Sequence, residues 1–125
     1  MKKEHAIQFI NKGKLLGAQL DSGPDYIGWL SVTKQTANQR LLDLYVNDPH
    51  SPEFRKEKLI WEKPYCIHVQ ELRRDVYESD IWPTNEDYRR NDIYRLYNLY
   101  EVEEVLHRFG KEFNDLKWPC DYTHF

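Results

Sequence analysis

Two runs of alternating apolar residues, separated by a stretch rich in turn-forming residues, constrain this chain more than any other feature. Leu16, Ala18 and Leu20 alternate with polar or small residues, and Tyr26, Gly28, Leu30 and Val32 do the same ten positions later. Side chains on a strand point to opposite faces with period two, so each run presents one apolar face. Asp21-Ser22-Gly23-Pro24-Asp25 lies between them and supplies turn chemistry. The expected unit is an antiparallel hairpin with a buried face. Ile27 and Trp29 fall on the other face of its second strand, which predicts that both faces are covered at that point.

The elements around the hairpin follow from helical and strand periodicity. Ala6, Phe9 and Ile10 recur at helical spacing within residues 2–12, and Gly13 stands where a helix ends in the left-handed conformation. Residues 40–46 fit a strand through Leu42, Leu44 and Val46 and a helix through Leu41, Leu44 and Tyr45, and a third strand is favoured because Asn47-Asp48-Pro49 ends the run so soon. Ser51-Pro52-Glu53 opens a helix over residues 51–63 with an N-cap and a proline at the first helical position, and Phe54, Lys58 and Trp61 share one face. Tyr65–Val69 reads as a short strand, and Val69, Leu72 and Val76 then predict a helix of about three turns that Trp82-Pro83 breaks. Ile93–Tyr97 alternates as a strand. Asn98, with Glu101 three residues later, begins the best-defined helix, whose apolar stripe is Leu99, Val102, Leu106, Phe109 and Phe113, with Gly110 weakening or ending it. Trp29, Trp61, Tyr94 and Tyr97 are expected in the core. The expected architecture is α+β in a single domain, residues 1–125: a small antiparallel sheet with helices packed mainly on one face.

Charge narrows the function. The chain carries 18 Lys and Arg against 21 Asp and Glu. Residues 1–63 hold ten basic and eight acidic side chains, and residues 64–125 hold eight basic and thirteen acidic. A nucleic-acid surface needs clustered cations to displace counterions, so the acidic half argues against nucleic-acid binding and for a basic protein partner. Plain solvated surface is the ordinary alternative. With no apolar run near 18 residues, no membrane span is expected. Met1-Lys2-Lys3-Glu4-His5 has no apolar stretch, so the expectation is a cytoplasmic protein without a secretory signal.

Catalytic signatures are sparse. Cys66 and His68 alternate on one strand face, and Cys120 and His124 form a second pair, but the spacing matches no familiar zinc module. Without a helix N-terminus to stabilise its thiolate, neither cysteine reads as a nucleophile. Asp115-Leu116-Lys117 matches a nuclease signature in three letters only, and no glycine-rich phosphate loop, His-Glu-x-x-His or Gly-x-Ser-x-Gly element occurs. The expectation is therefore no catalytic residues, no metal and no cofactor. The positive signal lies in residues 71–92. There the acids Asp75, Glu78, Asp80, Glu86 and Asp87 are interleaved with Tyr77, Trp82 and Tyr88. Aromatic residues anchor protein interfaces because they bury much area at little entropic cost, so this segment reads as a docking face. Stacking of single-stranded nucleic acid on Tyr88-Arg89-Arg90 is disfavoured by the surrounding carboxylates.

The closing unit, Ile93-Tyr94-Arg95-Leu96-Tyr97-Asn98-Leu99-Tyr100-Glu101-Val102 through Gly110, and the Trp29-centred strand in a Tyr- and Trp-rich acidic domain resemble the small immunity proteins of bacterial polymorphic toxin systems, such as those of contact-dependent growth inhibition. That resemblance carries over no residue position by position. It implies a cytoplasmic bacterial protein, monomeric in a one-to-one complex with a cognate basic toxin domain, often a nuclease, whose groove the acidic face would occupy. Two other readings stand beside it: a small metal-dependent nuclease or hydrolase using Cys66 and His68 or the carboxylates, and a phage or regulatory inhibitor of a host nucleic-acid enzyme.

Overall fold

The computed structural model describes residues 1–119. Over these residues the fold is α+β, a four-stranded antiparallel sheet with five helices. In chain order the elements are α1 (Lys3–Asn11), β1 (Leu16–Leu20), β2 (Tyr26–Lys34), α2 (Gln39–Leu44), α3 (Pro52–Glu62), β3 (Tyr65–Arg73), α4 (Arg74–Tyr77), β4 (Tyr88–Leu96) and α5 (Leu99–Arg108). Single turns of 3-10 helix lie at Asn85–Asp87 and Phe113–Asp115. Sheet order follows sequence order, β1-β2-β3-β4.

The hairpin forms as its alternation demands. Leu16 pairs with Val32 and Ala18 with Leu30, and across the next ladder Leu30 pairs with Val69 and Val32 with Ile67. These residues lie on one face, where they meet Ala6 and Ile10 of α1 and Val102, Val105 and Leu106 of α5 in one buried cluster. Phe113 and Leu116 close its side. Lys117 makes a backbone bridge to Gly17, accepting from its N–H at 2.9 Å, so the outer edge of β1 is occupied there.

The helix ends obey local chemistry. Asn98 accepts from the Glu101 N–H at 3.0 Å while Glu101 accepts from the Tyr97 N–H at 2.8 Å, which satisfies two donors at the start of α5. Gly110, with φ of 70°, takes the left-handed conformation just beyond that helix. At α3, Ser51 accepts from the Phe54 N–H and Pro52 takes the first position.

Several expectations are corrected. Residues 40–46 are not a strand: α2 starts at Gln39, with the Asn38 side chain capping the Leu41 N–H and α3 packed against it. The three-turn helix after Val69 is not formed either. β3 runs on to Arg73, paired on both sides, and only the single turn α4 follows. Residues three apart on a strand face opposite ways, so Val69 enters the helix-side core while Leu72 packs with Trp29 on the other face. Phe113 lies in the 3-10 turn beyond Gly110, still in the core. Trp61 and Tyr97 are outside the core, 66% and 56% exposed. On α3 the inward residues are Glu57, which accepts from the Asn38 N–H at 2.7 Å, and Ile60, so Trp61 is turned to solvent. The Tyr97 ring instead carries the Lys63 ammonium at 4.9 Å.

Candidate docking site

The second face of the sheet is covered around Trp29 and Leu72. Trp29 and Leu72 are buried there beneath Val76 and Tyr77 of the α4 turn, with Ile27 and Tyr88 beside them. The Trp29 and Tyr77 rings lie 6.5 Å apart, and the Trp29 indole donates to Gln70 Oε1 at 3.0 Å. A bulge between Glu71 and Leu72 shifts the pairing with β4, so Tyr88 comes opposite Leu72. That shift lets Leu72 and Tyr88 share this face and form the floor of a pocket.

The residues after α4 build its wall and rim. The Ser79 hydroxyl donates to the Val76 carbonyl at 2.7 Å and accepts from the Ile81 N–H at 3.2 Å, which folds the chain back over the pocket. Asp87 accepts from the Thr84 N–H at 2.8 Å and from its hydroxyl at 3.2 Å, which fixes the entry into β4. The cavity measures about 510 Å³, within the roughly 300–1,000 Å³ of ordinary ligand sites. Its apolar lining comes mainly from Leu72, Val76, Tyr77 and Tyr88, with Asp80 and Asn91 among its polar groups. Ile81 and Trp82 also line it, yet they are 72% and 89% exposed and stand out as an apolar rim.

Charge is distributed less evenly than composition indicates. Asp75 lies 2.6 Å from Arg73, whose hydrogen bond holds its carboxyl below the ordinary value. Arg73 also approaches Asp87 at 3.9 Å, and Arg74 approaches Glu78 at 3.7 Å. Arg89 contacts Glu71 at 2.6 Å, donates to the Ser22 carbonyl at 2.9 Å and stacks on Tyr26 at 4.0 Å. Arg90 lies 3.7 Å from Glu71 and 3.6 Å from Asp92. Partial burial pushes the Glu71 carboxyl up, but the hydrogen bond from Arg89, the nearby Ser22 side chain and the charges of Arg89 and Arg90 outweigh it and leave it below its ordinary value. All four arginines of the segment are therefore matched. Asp80 and Glu86 have neither an ion pair nor a hydrogen bond among the described residues.

Of the eight residues singled out from sequence, Tyr77, Asp80, Trp82 and Tyr88 come together at this pocket. Asp75 and Glu78 line a separate depression with Pro24, Tyr26, Arg73 and Arg74. Glu86 and Asp87 sit on the 3-10 turn beside the rim. Sequence reasoning missed Ile81, Val76, Leu72 and Asn91. Ile81 had a signal, as an apolar neighbour of Trp82 within an otherwise polar stretch.

The other chemical candidates occupy different places. Cys66 and His68 lie on β3, where Cys66 pairs with Thr33 and Arg95, and His68 with Ser31 and Ile93. Burial pushes the Cys66 thiol up, with the Arg95 charge opposing, which is the wrong direction for a nucleophile. His68 Nε2 contacts Asn91 Oδ1 at 2.5 Å. Cys120 and His124 fall outside the described residues. Among the described residues, no group of three or more His, Cys, Asp or Glu is placed to hold a metal, and no helix is long and apolar enough to cross a membrane. Asp115 caps its own turn by accepting from the Glu112 N–H at 2.8 Å. Comparisons with known protein families, with curated proteins and with solved structures find no match.

Proposed function

We propose that this protein is a non-catalytic inhibitor that binds a basic partner protein, in the manner of an immunity protein neutralising a toxin domain, and that the pocket between α4 and β4 is its docking site. The observation that carries this reading is the pair Ile81 and Trp82, exposed on the rim of an apolar pocket beside two unpaired carboxylates. A large exposed indole at a cavity mouth is costly to leave in water and valuable once a partner covers it. Asp80 and Glu86, whose charge no arginine here offsets, favour encounter with a cationic surface.

The neutralised arginines support a protein partner over a nucleic acid, because phosphate binding draws on cations free to replace counterions. As an inhibitor the protein would act by occupying its partner's working surface, with nothing bonded or broken. Affinity-tagged protein purified from its native host should bring down a basic protein in a one-to-one complex. Expression of that protein alone in a naive host should arrest growth, and co-expression of this chain should restore it. Growth arrest that co-expression does not relieve would reject the reading.

A further inference from the structure

We infer that the pocket between α4 and β4 takes one apolar side chain of the partner, an aromatic or a long aliphatic one, whose chain neighbour is a Lys or Arg that meets Asp80 and Glu86. This rests on the reading above and adds what the partner must present. The floor and wall are apolar, built by Leu72, Val76, Tyr77 and Tyr88, so the group that enters must itself be apolar to repay the water it displaces. A polypeptide is favoured over a free small molecule by the shape of the rim. Ile81 and Trp82 project outward, 72% and 89% exposed, and a ligand confined to the cavity would touch only their inner edges and leave most of both side chains wet. Only a surface extending past the mouth covers them, with the inserted side chain at its centre.

The adjacent cation follows from charge. Each arginine near the pocket already faces a carboxylate: Arg73 faces Asp75, Arg74 faces Glu78, and Arg89 and Arg90 face Glu71. Asp80 lines the pocket and Glu86 follows the lining residue Asn85 in the chain, both exposed. An acidic segment would meet repulsion there, and a neutral one would gain nothing from either group. The about 510 Å³ cavity is large enough for one bulky side chain together with the aliphatic stem of a cationic neighbour, which buries its methylenes while its charge stays at the rim.

The test uses the blocked dipeptide amides acetyl-Phe-Lys, acetyl-Phe-Glu and acetyl-Gly-Lys, titrated into the isotope-labelled full chain and followed by nitrogen–proton correlation NMR. Acetyl-Phe-Lys should shift the Trp82 indole and the amides of Val76, Tyr88 and Asn91. Acetyl-Phe-Glu should bind about fivefold more weakly, as expected for two exposed charge contacts. Acetyl-Gly-Lys should leave these signals in place. Asp80→Asn with Glu86→Gln should remove the preference for Lys over Glu and keep the requirement for Phe. Trp82→Ala, at a position too exposed to support the fold, should weaken binding of both Phe peptides. Shifts that ignore the Phe, shifts located elsewhere, or none at all would overturn the inference. Failure here and failure of the inhibitor reading are separable. A captured partner that binds the Trp82→Ala and carboxylate variants as tightly as the native chain rejects the pocket alone, while peptides can enter the pocket even where no partner is found.

Discussion

Gly28 sits on β2 opposite Glu71, under the turn that joins β1 to β2. A Cβ placed on it would lie 1.9 Å from Ser22 Oγ, 3.1 Å from Ser22 Cβ and 3.3 Å from Leu20 Cβ. Gly28→Ala therefore forces the buried Ser22 side chain aside. Overpacking of this kind costs about 1–3 kcal/mol, against which an alanine in a strand regains about 0.5–1 kcal/mol of chain entropy. The net loss should be about 1–2 kcal/mol, or roughly 3–8 °C in Tm. Ser22→Gly removes both clashing atoms and leaves only the Leu20 contact. In that background Gly28→Ala should be neutral or slightly stabilising, so the two substitutions should couple by about 1–3 kcal/mol in a urea-denaturation cycle. A coupling below about 0.5 kcal/mol would refute the close approach of turn and strand.

The carboxyl of Glu71 titrates below its ordinary value of 4.5 in the folded chain, so its ionised form adds stability above that value. That contribution is lost as the pH falls through the folded pKa, and Glu71→Gln should flatten the acid limb of a stability–pH curve while lowering stability at neutral pH. Asn98→Ala removes the cap of α5 and should cost about 1 kcal/mol by chemical denaturation, with far less lost in Asn98→Asp. Trp82→Ala should leave the unfolding free energy within about 0.5 kcal/mol of the native chain's, since the side chain is 89% exposed. A larger loss would make Trp82 a structural residue and remove it from the rim.

What was legible in sequence had a single solution. The hairpin was legible because alternation with Asp21–Asp25 between its arms has no helical counterpart, and α5 because its stripe, its Asn98 cap and Gly110 all agree. Residues 69–76 misled because Val69, Leu72 and Val76 match a helical face by spacing alone. Pairing with β2 and β4 overrides that local pattern and sends Val69 and Leu72 to different cores. Residues 40–46 misled for the converse reason, as six residues with an Asn38 cap fold as a helix against α3.

At the site, the aromatic members Tyr77, Trp82 and Tyr88 were legible as an interleaved set. Their convergence depends on the Glu71/Leu72 bulge, which leaves no mark in composition. The same holds for charge: five acids look alike in sequence, and only the side-chain contacts separate the arginine-bound Asp75, Glu78 and Asp87 from Asp80 and Glu86.

The most direct measurement is a titration of the captured partner's activity with this protein, native and as the combined Asp80→Asn, Trp82→Ala, Glu86→Gln variant. Native protein should abolish the activity at one equivalent, while the variant, folded to the same stability, should need a large excess. Activity untouched by the native chain would contradict the proposed inhibition, and equal potency of the two would contradict the docking site.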